Sequence, residues 1–113
     1  MIIHKTLAAG KWFELSLVEQ MANIGVDFER AVRWRKKGDE ELSKKAFERV
    51  LELLDLTKSD PKLRGRGALR EVCRVKETLI DFFMYDNQYD ATQEQWSKYF
   101  YQFNYAAAMQ RGR

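Results

Sequence analysis

A chain of 113 residues, 45% hydrophobic and 33% charged with a formal net charge of +3, has the size and balance of one globular domain. At this length folding buries roughly two-thirds of the surface the unfolded chain exposes, so a core forms without disulfides or a structural metal. The single cysteine, Cys73, excludes an internal disulfide, and the single histidine, His4, leaves the common zinc and diiron ligand sets incomplete.

One proline, and few β-branched residues beside Leu, Ala, Glu, Lys and Arg, favour helix. Residues 1–15 read as an N-terminal tail. They lack the pattern of a secretory signal, and no apolar run approaches the ~20 residues of a membrane span, so a cytoplasmic protein without a membrane partner is expected. Ser16 followed by Glu19 is a capping box, in which each side chain satisfies a free backbone N–H at a helix start. It opens a first predicted helix over 16–37 with Leu17, Met21, Ile24, Phe28, Ala31 and Val32 on one face. Gly25 falls on that face; a mid-helix glycine costs about 1 kcal/mol against alanine, so close approach of another helix is expected there. Arg33, Arg35, Lys36 and Lys37 suit the C-terminal end of the helix dipole, and Gly38 suits its C-cap.

Asp39 caps a second predicted helix over 39–57, with Leu42, Ala46, Phe47, Val50, Leu53 and Leu54 facing inward. The one-glycine link predicts a tight hairpin with the first helix. Pro61 closes the element, and Asp60 is placed to cap a short turn there. A third helix is predicted over 67–84, its entry weakened by Gly65 and Gly67, with Leu69, Val72, Cys73, Leu79, Ile80 and Phe83 sharing a face. Residues 84–90 read as a turn reversing at Asp86 and Asn87. Thr92 with Gln95 forms a second capping box and opens a fourth helix over 92–110, whose apolar face is Trp96, Tyr99, Phe100, Phe103, Ala106 and Ala107. Four amphipathic helices with short links predict an all-α, antiparallel up-down four-helix bundle over residues 16–113.

Three features stand out from this frame. Residues 58–76 carry seven basic side chains against Asp60 and Glu71. Lys62, Arg64, Arg66, Arg70 and Arg74 are the candidate contacts to a phosphate backbone, although no aromatic residue interleaves with them to make a stacking platform. Ten of the fifteen aromatic residues lie between Phe82 and Tyr105. Tyr85, Tyr89, Tyr101 and Tyr105 fall outside the predicted core faces, which points to an interaction surface and to a homo-oligomer or a protein partner. Asn23, Asp27, Arg30 and Trp34 line a polar strip beside the apolar face of the first helix. Lys76 occupies a core-like position on the third helix, and Asp27 is its expected partner in a structural pair.

Catalytic constellations fail on inventory. Cys73 has no nearby histidine in sequence and reads as a small buried hydrophobe. Gly65 and Gly67 lack the lysine–serine ending and the preceding strand of a phosphate loop. No cofactor, no metal and no enzymatic activity is expected.

The segments SLVEQMANIG, KAFERVLELLDLT, DFFMYDNQYD and WSKYFYQFNYAA, spread from Leu15 to Ala107, resemble a family of small uncharacterised prokaryotic helical proteins. That resemblance implies an intracellular all-helical protein. In helical size and pattern the chain is also similar to HEPN-type domains, bundles that accompany nucleotidyltransferases or act as ribonucleases. Catalytic members of that group carry an arginine followed four to six residues later by histidine; this chain has no histidine after His4 and departs from that motif.

Overall fold

The computed structural model describes residues 9–65 and 67–112. It contains α1 (Ala9–Glu14), α2 (Leu17–Lys36), α3 (Glu40–Lys58), a 3-10 turn (Pro61–Leu63), α4 (Gly67–Met84) and α5 (Gln93–Arg111), with no strand among the described residues. The chain is all-helical, and its four long helices pack as a helical bundle. Among the described residues no helix is long and apolar enough to cross a membrane.

Local chemistry sets the ends of these helices. Ser16 Oγ accepts from the Glu19 N–H at 3.1 Å while Glu19 Oε1 accepts from the Ser16 N–H at 2.9 Å. Thr92 and Gln95 repeat the arrangement at the start of α5. Asp39 Oδ1 accepts from the Leu42 N–H at 3.0 Å, and each of these bonds fills a donor the helix itself leaves unpaired. Gly38 has φ +84°, a left-handed turn that other residues adopt at a cost and that reverses the chain between α2 and α3. Between α4 and α5 the reversal is made by Asn87, at φ 54°, whose side chain bonds Ala91 through both its oxygen and its nitrogen.

α2 is the hub: α3 and α5 pack most extensively against it, while α4 leans on α3. Phe28 is fully buried at the centre, with its ring centroid 5.4 Å from that of Phe100 and 6.4 Å from those of Phe82 and Trp96. Phe47 of α3 stacks on Phe83 of α4 at 4.3 Å, and the Arg35 guanidinium lies 3.7 Å over the Phe83 ring while donating to the Phe83 carbonyl. A Cβ added at Gly25 would fall 2.7 Å from Phe100 Cβ, which is the close helix approach expected from a glycine on the inner face.

Several readings of the sequence are revised. Leu42, expected on the inward face of α3, is exposed at its first turn. The tail expected over 1–15 is helical from Ala9 to Glu14; residues 1–8, His4 among them, lie outside the described residues. α1 is held from outside itself. Trp12 is buried, its Nε1 donates to Thr57 Oγ1 at 2.9 Å, and its carbonyl accepts from Gln20 Nε2 at 2.9 Å. Gln20 Nε2 also donates to Asp60 Oδ2 at 2.8 Å, and Lys62 Nζ bridges Asp60 Oδ2 and the Phe13 carbonyl, both at 2.7 Å. On α4 the buried residues are Val72, Val75, Leu79 and Phe83; Leu69, Cys73 and Ile80, expected among them, are only half-buried. Val75 and not Cys73 continues the inward stripe, because α4 is rotated about its axis from the face expected.

Candidate functional site

The aromatic surface comes first. Tyr85, Tyr89, Tyr101 and Tyr105 are all between 59% and 71% exposed. The structure divides them into two pairs. Tyr85 and Tyr89 belong to the loop between α4 and α5, whereas Tyr101 and Tyr105 are one turn apart on α5, about 12 and 18 Å along it from its start at 1.5 Å per residue. Met109 extends the α5 pair by one more turn and is half-exposed. Val26 of α2, also half-exposed, meets Tyr101 across a shallow depression of about 490 Å³ that runs over Gly25, Phe100 and Asn104. The inner side of α5 is equally apolar: Trp96, Phe100 and Ala107 are buried, and Tyr99 and Phe103 pack on the core. Sequence alone did not single out Val26 and Met109; the 101–105–109 spacing was the signal for Met109, and Val26 had none.

The basic segment is less free than its composition implies. Lys58 Nζ lies 3.8 Å from Asp55 Oδ1 and Lys76 Nζ lies 2.6 Å from the same oxygen. Lys62 is engaged with Asp60. Arg64, Arg70 and Arg74 form no ion pair among the described residues, and all three are exposed; Arg66 lies outside them. Arg74 lines an apolar groove of about 340 Å³ between α4 and α5, together with Trp96. The Tyr99 hydroxyl, on the same groove, donates to Glu71 Oε2 at 2.7 Å. Burial, then the hydrogen bond to Glu71 and its negative charge, pushes the Tyr99 phenol well above its ordinary value.

The polar strip of α2 is rearranged relative to expectation. The Asp27–Lys76 pair is not made, because Lys76 reaches across the α3–α4 seam to Asp55. Asp27, its side chain 7% exposed, instead pairs with Arg30 Nη1 at 3.0 Å and faces Arg49 Nε of α3 at 3.6 Å. Arg49 is the residue sequence reading missed, since only the α2–α3 packing brings it to Asp27. Trp34 is half-buried under Lys37 Nζ, 5.2 Å from the ring centroid.

The buried Asp60 carboxylate has a structural part. Burial acts to raise it, but the hydrogen bonds from the Lys62 side chain and backbone and from Gln20, with the Lys62 charge, outweigh burial and hold it below its ordinary value. Among the described residues no group of three His, Cys, Asp or Glu side chains is arranged to hold a metal. No protein-family model, curated protein or solved structure matches the chain.

Proposed function

We propose that the protein is a non-enzymatic association module that pairs with a second copy of itself through the outer face of α5. One observation carries this reading: Tyr101, Tyr105 and Met109 form an exposed strip continuous with Val26, on a helix whose inner face is already committed to the core. A helix apolar on both sides is normally covered on both. The choice of a second copy rests on charge. Residues 99–110, YFYQFNYAAAMQ, contain no charged side chain in a protein that is 33% charged. A two-fold contact sets each surface against itself, so the charge-free 99–110 strip avoids like-charge repulsion, while Glu29, Arg33 and Lys98 beside Val26 border it with both signs of charge. The exposed tyrosines and methionine supply a few hundred Å² per copy, below the ~800 Å² of a standard interface, and the expected dimer is therefore weak and concentration-dependent.

In this reading the four long helices run as an antiparallel up-down bundle. Paired contacts support it, since residue numbers rise along one helix as they fall along its neighbour. For α2 and α3 these are Asp27 with Arg49 and Ala31 with Ser43. For α3 and α4 they are Phe47 with Phe83 and Asp55 with Lys76. For α2 and α5 they are Ser16 with Gln110, Gly25 with Phe100 and Glu29 with Ser97. Binding of a nucleic-acid backbone through 58–76 is a second reading: Lys58, Lys62 and Lys76 are engaged in ion pairs, while Arg64, Arg70 and Arg74 are exposed and form none among the described residues. A HEPN-like role finds support in helix content alone.

The test is sedimentation equilibrium or light scattering across a range of micromolar to millimolar concentration. The mass should rise toward twice that of the chain. Tyr101→Ser with Tyr105→Ser should hold it at one chain with an unchanged circular-dichroism spectrum, while Tyr85→Ser leaves the rise intact. A mass fixed at one chain throughout refutes the proposal.

A further inference from the structure

On the side of the bundle where α2 meets α3, a pocket of about 250 Å³ opens beside the buried Asp27. Asn23, Asp27, Arg30 and Arg49 form the larger, polar part of its lining and Trp12, Val26 and Leu53 the smaller, apolar part, with Arg30 and Arg49 half-exposed. The two guanidiniums share one carboxylate: Arg30 Nη1 is 3.0 Å from Asp27 Oδ1 and Arg49 Nε is 3.6 Å from Oδ2. Two positive charges against one negative leave the mouth at a net +1. Each guanidinium carries five N–H donors in a fixed fork. Arg30 spends one on Asp27, and neither arginine makes another side-chain bond among the described residues.

Packing gives no reason for a carboxylate at this depth. A buried ion pair is often no more stable than apolar residues of the same shape. What Asp27 does supply is orientation. Arg30 and Arg49 are half-exposed and on long, mobile stems; anchored to Asp27, they hold their remaining N–H edges over a small, mainly polar cleft with an apolar edge. Donors fixed before a ligand arrives reduce the ordering cost of binding it.

We infer that this pocket binds a small molecule carrying one carboxylate and a short apolar or aromatic body, with Arg30 and Arg49 as the binding residues and Asp27 as the positioning residue. A guanidinium fork matches a carboxylate with two parallel hydrogen bonds. A single negative charge neutralises the surplus at the mouth. A phosphate monoester, with a charge of about −1.5 to −2 at neutral pH, would bring excess negative charge beside Asp27. The volume lies below the ~300 Å³ at which pockets for drug-sized ligands begin, and Val26 with the edge of Trp12 offers a ring or a short acyl chain a small apolar contact. Val26 forms the ridge between this pocket and the α5 strip, so binding has to be followed in a chain that does not associate as well as in the native one.

The experiment is a titration of the ¹⁵N-labelled full chain at low ionic strength and neutral pH with sodium benzoate, sodium butyrate and inorganic phosphate. The reporters are the Trp12 indole N–H and the Nε–H signals of Arg30 and Arg49. Benzoate and butyrate should give saturable shifts of all three, with phosphate at least tenfold weaker. The shifts should persist in the chain carrying Tyr101→Ser and Tyr105→Ser, which separates this inference from the association reading. Arg49→Gln should weaken benzoate at least tenfold. Asp27→Asn should weaken it too, although it raises the local charge to +2, because an attraction of charge alone would strengthen. Shifts that do not saturate, phosphate binding as tight as benzoate, or Arg49→Gln binding like the native chain overturn the inference. Arg49 is half-exposed, so that variant decides the matter even where Asp27→Asn does not fold.

Discussion

Alanine is a better helix former than glycine, yet Gly25→Ala is expected to destabilise this protein. The added Cβ would lie 2.7 Å from Phe100 Cβ and 3.0 Å from Phe100 Cγ. Carbon atoms pack comfortably at ~3.5–4.0 Å, so α2 and α5 must part by about 1 Å where they are closest, and Phe100 is too buried to turn aside. Overpacking of this kind typically costs about 1–3 kcal/mol, and the helix propensity of alanine returns about 1 kcal/mol. The net loss is about 1 kcal/mol, or roughly 4–8 °C in Tm for a domain of this size. Gly67→Ala is the control: no neighbour lies within 4 Å of the Cβ it would gain, and relief of unfolded-chain entropy should stabilise by about 0.4–1 kcal/mol. Urea denaturation followed by tryptophan fluorescence and by far-ultraviolet circular dichroism reads both. If Gly25→Ala stabilises as Gly67→Ala does, the contact between α2 and Phe100 is not what holds α5 in place.

Thr57→Val removes the acceptor of the Trp12 indole N–H and leaves a buried donor unpaired; the urea midpoint should fall by an amount corresponding to about 1–3 kcal/mol, while Thr57→Ser stays near the native value. Asp60 is held below its ordinary value of 3.8 in the folded chain, so its contribution is present above that value and is lost as the pH falls through the lower folded value. Asp60→Asn should therefore be destabilised at neutral pH, and its deficit against the native chain should shrink as the two are compared at successively lower pH below 3.8. A deficit independent of pH would remove the carboxylate from the account.

Three of the four long helices were legible from chemistry at their ends, and α4, expected over 67–84, from its apolar spacing. Ser16 with Glu19, Asp39 and Thr92 with Gln95 mark starts that the structure places within a residue, and the 3/4 spacing of Met21, Ile24, Phe28 and Ala31 identifies the buried side of α2. α1 was not legible because its six described residues are too few to sustain a helix alone; Trp12 docks it on α3, and no local pattern announces a contact with a residue 45 positions away. Partner choice failed for a related reason. Spacing assigns a residue to a face, but the rotation of each helix about its own axis decides what that face meets. Lys76 was correctly placed near a carboxylate and met Asp55, while Asp27 met Arg49. The exposure of Tyr101 and Tyr105 was legible by subtraction, since Trp96, Phe100 and Ala107 already fill the inward stripe of α5.

Trp12, Gln20, Thr57 and Asp60 also bear on how the chain comes together during synthesis. α1 leaves the ribosome before any of its partners, and Thr57 and Asp60 follow it by more than forty residues. Until α3 and the 3-10 turn have emerged the indole has only water to donate to, and of its folded partners the Gln20 amide has only the Trp12 carbonyl. The earliest helix in the described chain thus waits for residues 57–62 before it can settle, ahead of α4 and α5, and the hydrogen bonds that seat it close the α2–α3 hairpin at its open end.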